Sequence, residues 1–224
     1  MWCVAELNQE YIERMEDVLA TYEKPLTGEE PVVCEDEKAV SLHQEVREPQ
    51  GMEVGRVARR DSEYKRCGTA NIFCAVEAKT GKHFTKVTEK RSAWEWAMFM
   101  KGIADYYPQA QTIHLVVDNL NIHRRKALVD CYGEAQGEVL WKRFTVHYTP
   151  KHGSWLNQAE IEIGLLSRQC LGKRRIGEIA SLEQEVSAWN QEVNRQAIQI
   201  QWKFDRAKAR EKFRYSPIIT RSEH

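Results

Sequence analysis

The order of the secondary-structure elements that the sequence predicts is typical of an α/β protein with one mixed β-sheet. After an N-terminal helix come three strands, and helices then alternate with two further strands. Thr80-Gly81 lies between the second and third strands and suits a hairpin turn, which would make these neighbours antiparallel. The later strands are separated by helices, so each would join the sheet through a crossover connection. Residue patterns alone therefore predict an α/β fold, a sheet flanked by helices, and no narrower class.

The first quarter of the chain is predicted to form one helix and one short strand. Apolar and aromatic side chains share one face of residues 7–22, with acidic residues on the opposite face. Pro25 and Gly28 would end this helix. An apolar run predicts a strand over residues 32–37, and the polar, charged segment at residues 38–68 is expected to be a long insertion or a hairpin.

The centre of the chain carries the clearest alternation of strands and helices. Ser92 is placed to cap a helix over residues 92–107, and Trp94, Met98 and Ile103 would form its core face. Further elements are expected as strands over residues 70–78, 83–88, 112–117 and 144–148 and as a helix over residues 124–134.

Residues 149–171 combine a basic loop with a helix. The loop carries the tetrapeptide Lys-His-Gly-Ser at residues 151–154, and Ile161, Leu165 and Leu166 recur along the helix at apolar positions. These three residues are predicted to face the core.

The C-terminal region is predicted to contain one helix and a tail. Ser181 would cap a helix over residues 182–194. The residues after Trp202 are basic, and we expect them to be ordered only in part.

Composition is that of an ordinary soluble globular protein and excludes a membrane protein. Hydrophobic residues make up 42% and charged residues 29% of the chain. No apolar run approaches the roughly 18 residues that a membrane span needs, and the acidic N-terminus does not resemble a signal peptide. The six cysteines contain no C-x-x-C pair, so we interpret them as reduced thiols of a cytoplasmic protein.

Charge is distributed unevenly along a chain whose net charge is zero. Residues 1–55 contain 4 basic and 14 acidic residues, whereas residues 56–140 contain 14 and 10, and residues 141–224 contain 15 and 9. The later two thirds are therefore positive and could form a surface that faces nucleic acid. A solvated surface of mixed charge explains the same distribution equally well.

Three acidic residues lie where a divalent metal site could be assembled. Asp36 and Asp118 each end an apolar run typical of a strand, and Glu160 lies at the start of a helix. Carboxylate oxygens are preferred ligands of Mg²⁺, and such placements can bring three of them together. Taken singly, the three fit a solvated strand end, an Asx turn and a helix N-terminus.

Three strings surround these acids: VVCEDEK, LVVDNLNIH and HYTPKHGSWLNQAEIE. In this order they resemble the catalytic core of DDE transposases, most closely the bacterial insertion-sequence branch of the mariner superfamily. The pattern HGSWLNxxE is the most specific part, and the resemblance extends over residues 2–215. It implies an RNase H-like fold, with three antiparallel strands followed by parallel strands. It also implies that Asp36, Asp118 and Glu160 are the catalytic and metal-binding residues.

The resemblance further implies a domain organisation and a reaction. We expect an N-terminal helix and linker at residues 1–30, a catalytic core at 31–175 with an insertion at about 39–68, and a C-terminal helix and basic tail at 176–224. The core would use two Mg²⁺ or Mn²⁺ ions to cleave DNA at the ends of a mobile element and to join the freed 3′-OH to target DNA. A homodimer assembled on DNA, associated with the nucleoid, is expected.

Other residues near the three motifs are candidates for supporting roles. Asn119 and His123 are placed to hydrogen-bond the metal ligands. Strand alternation and helix periodicity direct Glu35, Glu37 and Glu162 away from the three catalytic acids. We expect contacts to DNA phosphates from Lys151, His152, Ser154, Arg168, Lys173, Arg174 and Arg175, and the last four fit a solvated face almost as well.

Two other functions stay open at this stage. One is a catalytically decayed DNA-binding or dimerisation remnant, and the other is a different nuclease of RNase H-like fold. Transposases of this type begin with helix-turn-helix modules, which we do not find before the catalytic motifs. A separate N-terminal half that binds DNA, or a truncated gene, is therefore expected.

Overall fold

A five-stranded mixed sheet forms the centre of the computed structural model, which describes residues 7–216. The strands are β1 (Val32–Glu45), β2 (Tyr64–Glu77), β3 (Lys82–Thr88), β4 (Ile113–Val117) and β5 (Phe144–Tyr148). Their order in the sheet is β3-β2-β1-β4-β5. β1, β2 and β3 are antiparallel neighbours, whereas β4 pairs in parallel with both β1 and β5. The mixed sheet predicted from the sequence is confirmed.

Seven α-helices of the described residues flank this sheet on both faces. They are α1 (Gln9–Glu23), α2 (Ala93–Tyr106), α3 (Arg125–Tyr132), α4 (Glu134–Trp141), α5 (Ala159–Leu166), α6 (Ile179–Gln196) and α7 (Arg206–Phe213). A π-helical segment, Ser167–Leu171, continues α5. No helix among residues 7–216 is long and apolar enough to cross a membrane.

Side chains at the helix starts explain where several helices begin. Asn8 caps α1, because its Oδ1 accepts a hydrogen bond of 2.9 Å from the Tyr11 N–H. Ser92 caps α2 in the same way, as predicted, accepting from the Glu95 N–H at 3.2 Å. The prediction that Ser181 caps α6 was wrong, since that helix begins at Ile179 after Glu178.

The buried face of α2 differs from the predicted one. Trp94 is 54% exposed, whereas Trp96 and Met100 are buried together with Ile103. Trp96 and Met100 are four residues apart, so they share a face that packs on the apolar side chains of the sheet. Trp94 and Trp96 both suit a helix core. Trp96 is the one that is buried, and its Nε1 donates a hydrogen bond to Glu35 on β1, a partner that the sequence does not reveal.

Several further elements differ from the predictions. The helix expected over residues 124–134 is two helices, α3 and α4, which meet at Gly133. β1 does not end at residue 37 but continues to Glu45, which lies opposite Tyr64 of β2. The polar residues of this part alternate with Val40 and Leu42, which pack in a hydrophobic cluster with residues of α6. α7 was not predicted, and it packs on α1 through an ion pair of 2.6 Å between Arg210 and Glu16. Residues 217–224 of the predicted tail lie outside the described residues.

Close contact between α3 and α4 leads to a first testable prediction. A Cβ atom added to Gly137 of α4 would lie 2.6 Å from Val129 Cα of α3, whereas one added to Gly102 of α2 would meet nothing within 4 Å. We expect Gly137→Ala to lower the free energy of unfolding by about 1–3 kcal/mol. The control Gly102→Ala should raise it by up to about 1 kcal/mol, because glycine is a poor helix former. Equal stabilities in urea denaturation would contradict the close packing.

Candidate active site

Asp36, Asp118 and Glu160 lie on three adjoining elements. Asp36 is on β1, Asp118 directly follows β4, and Glu160 is in the first turn of α5. Because β1 and β4 run in parallel with Cys34 opposite Val116, the two aspartates lie at the same level of neighbouring strands. α5 packs across β1 and β2.

The electrostatics of Asp36 reflect this arrangement. Burial raises the pKa of the Asp36 carboxyl to about 7, and the negative charges of Glu37, Asp118 and Glu160 contribute to the rise. The Glu37 N–H opposes it by donating a hydrogen bond of 2.7 Å to Asp36 Oδ1. The ionised form of Asp36 is therefore disfavoured in the protein without a cation, and the other two acids are close enough to act on it.

His123 lies behind Asp118, fully buried among carboxylates. Its Nδ1 is 2.9 Å from Asp118 Oδ1, and its Nε2 is 2.8 Å from Glu37 Oε1 and 3.5 Å from Glu35 Oε2. Burial alone would lower the pKa of His123, but the charges of Glu35 and Glu37 and the hydrogen bonds to Asp118 and Glu37 outweigh it and raise the pKa to about 11. The ring is therefore an imidazolium that donates a hydrogen bond on each side. The contact with Asp118 is the one that a supporting role would need, and that role stays a prediction.

Glu35 and Glu37 form a second acidic group on the other face of β1, as strand alternation predicted. With His123 they place one potential metal-ligand atom each within 4.8 Å of one another. Burial raises the pKa of Glu35 to about 8, and Trp96 Nε1 donates a hydrogen bond of 3.2 Å to its Oε2. The imidazolium already supplies the positive charge that a cation would bring. We therefore interpret this group as the support of Asp118.

Comparison with known proteins places the chain in a family. The model of the family described as "DDE superfamily endonuclease" matches residues 31–183, about two thirds of the chain. The chain belongs to the DDE superfamily endonucleases. No curated protein matches it.

Solved structures with a similar fold are transposase complexes of Mos1. The Mos1 mariner paired-end complex with Mn has 17% sequence identity and a TM-score of 0.57, and the Mos1 paired-end complex with the left transposon end has 16% and 0.56. A pre-cleavage Mos1 transpososome has 15% and 0.56. Each comparison covers 88% of this chain and 61% of the Mos1 chain, so this chain spans about three fifths of the Mos1 length. The RNase H-like transposase fold expected from the sequence is thereby confirmed.

The loop that follows β4 in this DDE endonuclease is held by its own side chains. Asp118 Oδ1 accepts a hydrogen bond of 2.9 Å from the Leu120 N–H, so the Asx-type turn considered from the sequence exists beside the contact with His123. Burial opposes ionisation of Asp118, but the hydrogen bonds from His123 and Leu120 and the charge of Arg91 lower its pKa. Asn119 Nδ2 donates to Thr149 O at 2.6 Å. Asn119 therefore ties this loop to the end of β5.

The residues proposed for DNA contact differ in how freely they face solvent. The exposed ones are Lys151, His152, Ser154, Arg168 and Lys173. Arg174 is also exposed but forms an ion pair of 2.9 Å with Glu185. Arg175 differs from the expectation: it bridges to Glu45 at 2.6 Å and donates to the carbonyls of Asp61 and Glu63. Its guanidinium holds the β1–β2 hairpin, so we leave Arg175 out of the proposed DNA surface.

Glu162 and His83 were missed by sequence reasoning. Glu162 does not face solvent but is 3% exposed, and its Oε2 lies 2.6 Å from Nε2 of His83 on β3. The predicted core face of α5 was correspondingly wrong at Ile161, which is 41% exposed. The sequence offers one signal in retrospect: His83 lies at a strand position where a buried imidazole needs a polar partner.

Proposed function

We propose that this chain is the catalytic core of a DDE transposase. Such an enzyme cleaves DNA strands at the ends of a mobile element and transfers the freed 3′ ends to a target. The observation that carries the proposal is the raised pKa of Asp36 on β1, to which the charges of Asp118 after β4 and Glu160 on α5 both contribute. Membership of the DDE endonuclease family supports phosphodiester cleavage.

The donor set fits hard divalent cations. Three carboxylates come from two strands and one helix, and the charge of Asp36 is unfavourable without a positive neighbour. We propose that Asp36, Asp118 and Glu160 hold two Mg²⁺ or Mn²⁺ ions. When bound, these ions supply Lewis-acid activation of the attacking oxygen and stabilisation of the leaving oxygen. His123 orients the Asp118 carboxylate, and the Glu37 N–H orients that of Asp36.

DNA would approach from the side of the loop at residues 151–154. This loop precedes α5, the helix that carries Glu160, and its Lys151, His152 and Ser154 side chains are exposed. Together with Arg168 and Lys173 they would contact phosphates, which fixes the position of DNA but reads no sequence. The Mos1 structures are complexes with transposon ends, which supports DNA as the partner. We therefore propose a homodimer assembled on nucleoid DNA in the cytoplasm, with a separate helix-turn-helix half that recognises the ends.

Cleavage of the element's own ends tests this function. The substrate is a duplex carrying the inverted repeats that flank the gene, incubated with Mg²⁺ or Mn²⁺. We expect metal-dependent nicks that leave a 3′-OH, and a fall of roughly 10²–10³-fold or more for Asp36→Asn, Asp118→Asn and Glu160→Gln. Asp105→Asn is the control, because Asp105 is an exposed partner of Lys101 on α2.

Other outcomes of the same assay identify the alternatives. Preferential cleavage of an RNA–DNA hybrid would indicate a different nuclease of this fold. Binding of the duplex without cleavage by the unmodified protein would indicate a decayed remnant. Full activity of Asp36→Asn would contradict the proposed site.

A further inference from the structure

α5 has no single apolar face that would fix its rotation about its own axis. Successive helix residues are about 100° apart, so Ile161, Ile163, Leu165 and Leu166 are spread over more than half of the helix circumference. Burial of apolar area therefore leaves several rotations similar in free energy. The rotation matters because it decides where the side chain of Glu160, which directly precedes Ile161, is directed.

The face that α5 buries has a carboxylate at its centre. Its buried residues are Ala159, Glu162 and Leu166, which are spaced by three and four positions and so share one side of the helix. Glu160 is exposed and lies about 130° round the helix from the centre of this side. Ile161 is directed away from the sheet and is 41% exposed. A buried carboxylate is costly unless it is hydrogen-bonded, so the partner of Glu162 selects this rotation.

That partner is His83 on β3. Glu162 Oε2 lies 2.6 Å from His83 Nε2, and the two side chains are 4% and 3% exposed. His83 Nδ1 lies 2.8 Å from the carbonyl oxygen of Gly81, which can only accept, so Nδ1 carries a hydrogen and Nε2 is directed at the carboxylate. A short contact of this kind is directional, unlike apolar packing.

His83 is itself held from both sides. It pairs with Val76 in the sheet. On the open edge of β3, Asn194 of α6 accepts from the His83 N–H at 2.8 Å and donates to its carbonyl oxygen at 2.9 Å. Trp189 packs against the imidazole with ring centroids 5.9 Å apart. The imidazole of His83 is therefore held in one position, and its contact with Glu162 can hold α5 in one orientation.

We propose that the Glu162–His83 pair positions Glu160 by fixing the rotation of α5. The inference rests on the proposed function, in which Glu160 is a metal ligand. Asn157 fixes the start of the same helix, because its Nδ2 donates to Glu35 O at 2.8 Å and its Oδ1 accepts from the Ala159 N–H at 3.1 Å. The two polar anchors bracket Glu160 in the sequence, and the first of them is attached next to Asp36.

Affinity for Mn²⁺, read from the electron paramagnetic resonance signal of the free ion, tests the inference. Glu162→Leu removes the pair, and we expect it to weaken Mn²⁺ binding about 10- to 100-fold. Glu162→Gln keeps a hydrogen bond to His83 and should restore affinity to near that of the unmodified protein. His83→Leu combined with Glu162→Leu replaces the pair with apolar side chains and provides a second arm if Glu162→Leu alone does not fold. This double variant should show the same loss of affinity.

Glu77→Leu is the matched control. Glu77 is also a buried glutamate, and it accepts hydrogen bonds from Tyr107 at 3.0 Å and Thr80 at 2.7 Å near the β2–β3 turn. Glu77→Leu should lower the free energy of unfolding and leave the Mn²⁺ affinity unchanged. Unchanged affinity in Glu162→Leu or in the double variant, or an equal loss in Glu77→Leu, would overturn the positioning role. Absence of Mn²⁺ binding by the unmodified protein would instead refute the proposed function.

Discussion

Replacing His123 with leucine is expected to lower the free energy of unfolding by about 3–5 kcal/mol, because it leaves buried carboxylates without their cation. The imidazolium is fully buried and faces Asp118, Glu37 and Glu35 at 2.9, 2.8 and 3.5 Å. Leucine fills a similar volume, so the loss would come from uncompensated charge and unpaired oxygens rather than from a cavity. Urea denaturation of the two proteins measures the difference.

A second variant separates charge from packing at the same position. His123→Leu combined with Glu37→Gln removes one of the charges that His123 compensates, so it should recover part of the lost stability. Glu134→Gln is a control on an exposed carboxylate that pairs with Arg125, and it should change stability by less than about 1 kcal/mol. A loss below about 1 kcal/mol for His123→Leu would contradict the imidazolium assignment.

Asp36→Asn is expected to have opposite effects with and without metal. In the absence of metal it should raise the free energy of unfolding by about 1–3 kcal/mol, since it removes a buried charge that Glu37, Asp118 and Glu160 repel. The amide oxygen can still accept from the Glu37 N–H. In the presence of Mn²⁺ the unmodified protein should instead be more stable than Asp36→Asn. Binding to the native state alone stabilises the unmodified protein by about 2.7 kcal/mol at one hundred times the dissociation constant.

Thermal and urea unfolding at several Mn²⁺ concentrations measure both effects. Asp105→Asn should behave as the unmodified protein under all conditions, because Asp105 is exposed on α2. A metal-dependent gain that survives in Asp36→Asn would place the bound ion elsewhere. A metal-free Asp36→Asn protein less stable than the unmodified one would contradict the repulsion among the carboxylates.

The parts of the fold that the sequence predicts are those that depend on local signals. Strand β5 was predicted with its observed bounds, and the hairpin at Thr80-Gly81 and the cap at Ser92 follow from turn and capping chemistry. The mixed sheet follows from the order of the elements. These features are encoded within a few residues of where they appear.

Two of the features that were missed, helix α7 and the burial of Glu162, depend on contacts between distant parts of the chain. α7 is stabilised on α1 by the pair of Arg210 with Glu16, nearly two hundred residues away. The pairing of Glu162 with His83 also spans a long separation, so helix periodicity gave no reason to bury a charged residue. In both cases a polar side chain is placed by a partner that sequence patterns do not reveal.

The candidate site shows the same division. The sequence predicted that Asp36 and Asp118 lie at strands and Glu160 at the start of a helix, as the structure has them, and His123 was expected to support them. The motifs do not reveal that Glu35 and Glu37 share His123 with Asp118, because strand alternation indicates only the face on which they lie. They also do not reveal that the β1–β2 hairpin engages Arg175.

Anomalous diffraction at the manganese edge, from crystals of the unmodified protein grown with Mn²⁺, tests the proposed site most directly. The catalytic proposal predicts anomalous peaks bounded by the carboxylates of Asp36, Asp118 and Glu160, and two such peaks if both ions bind without DNA. It predicts no peak among Glu35, Glu37 and His123, where the imidazolium already balances the charge. A single peak in that second group, with none at Asp36, would contradict the assignment of the catalytic carboxylates.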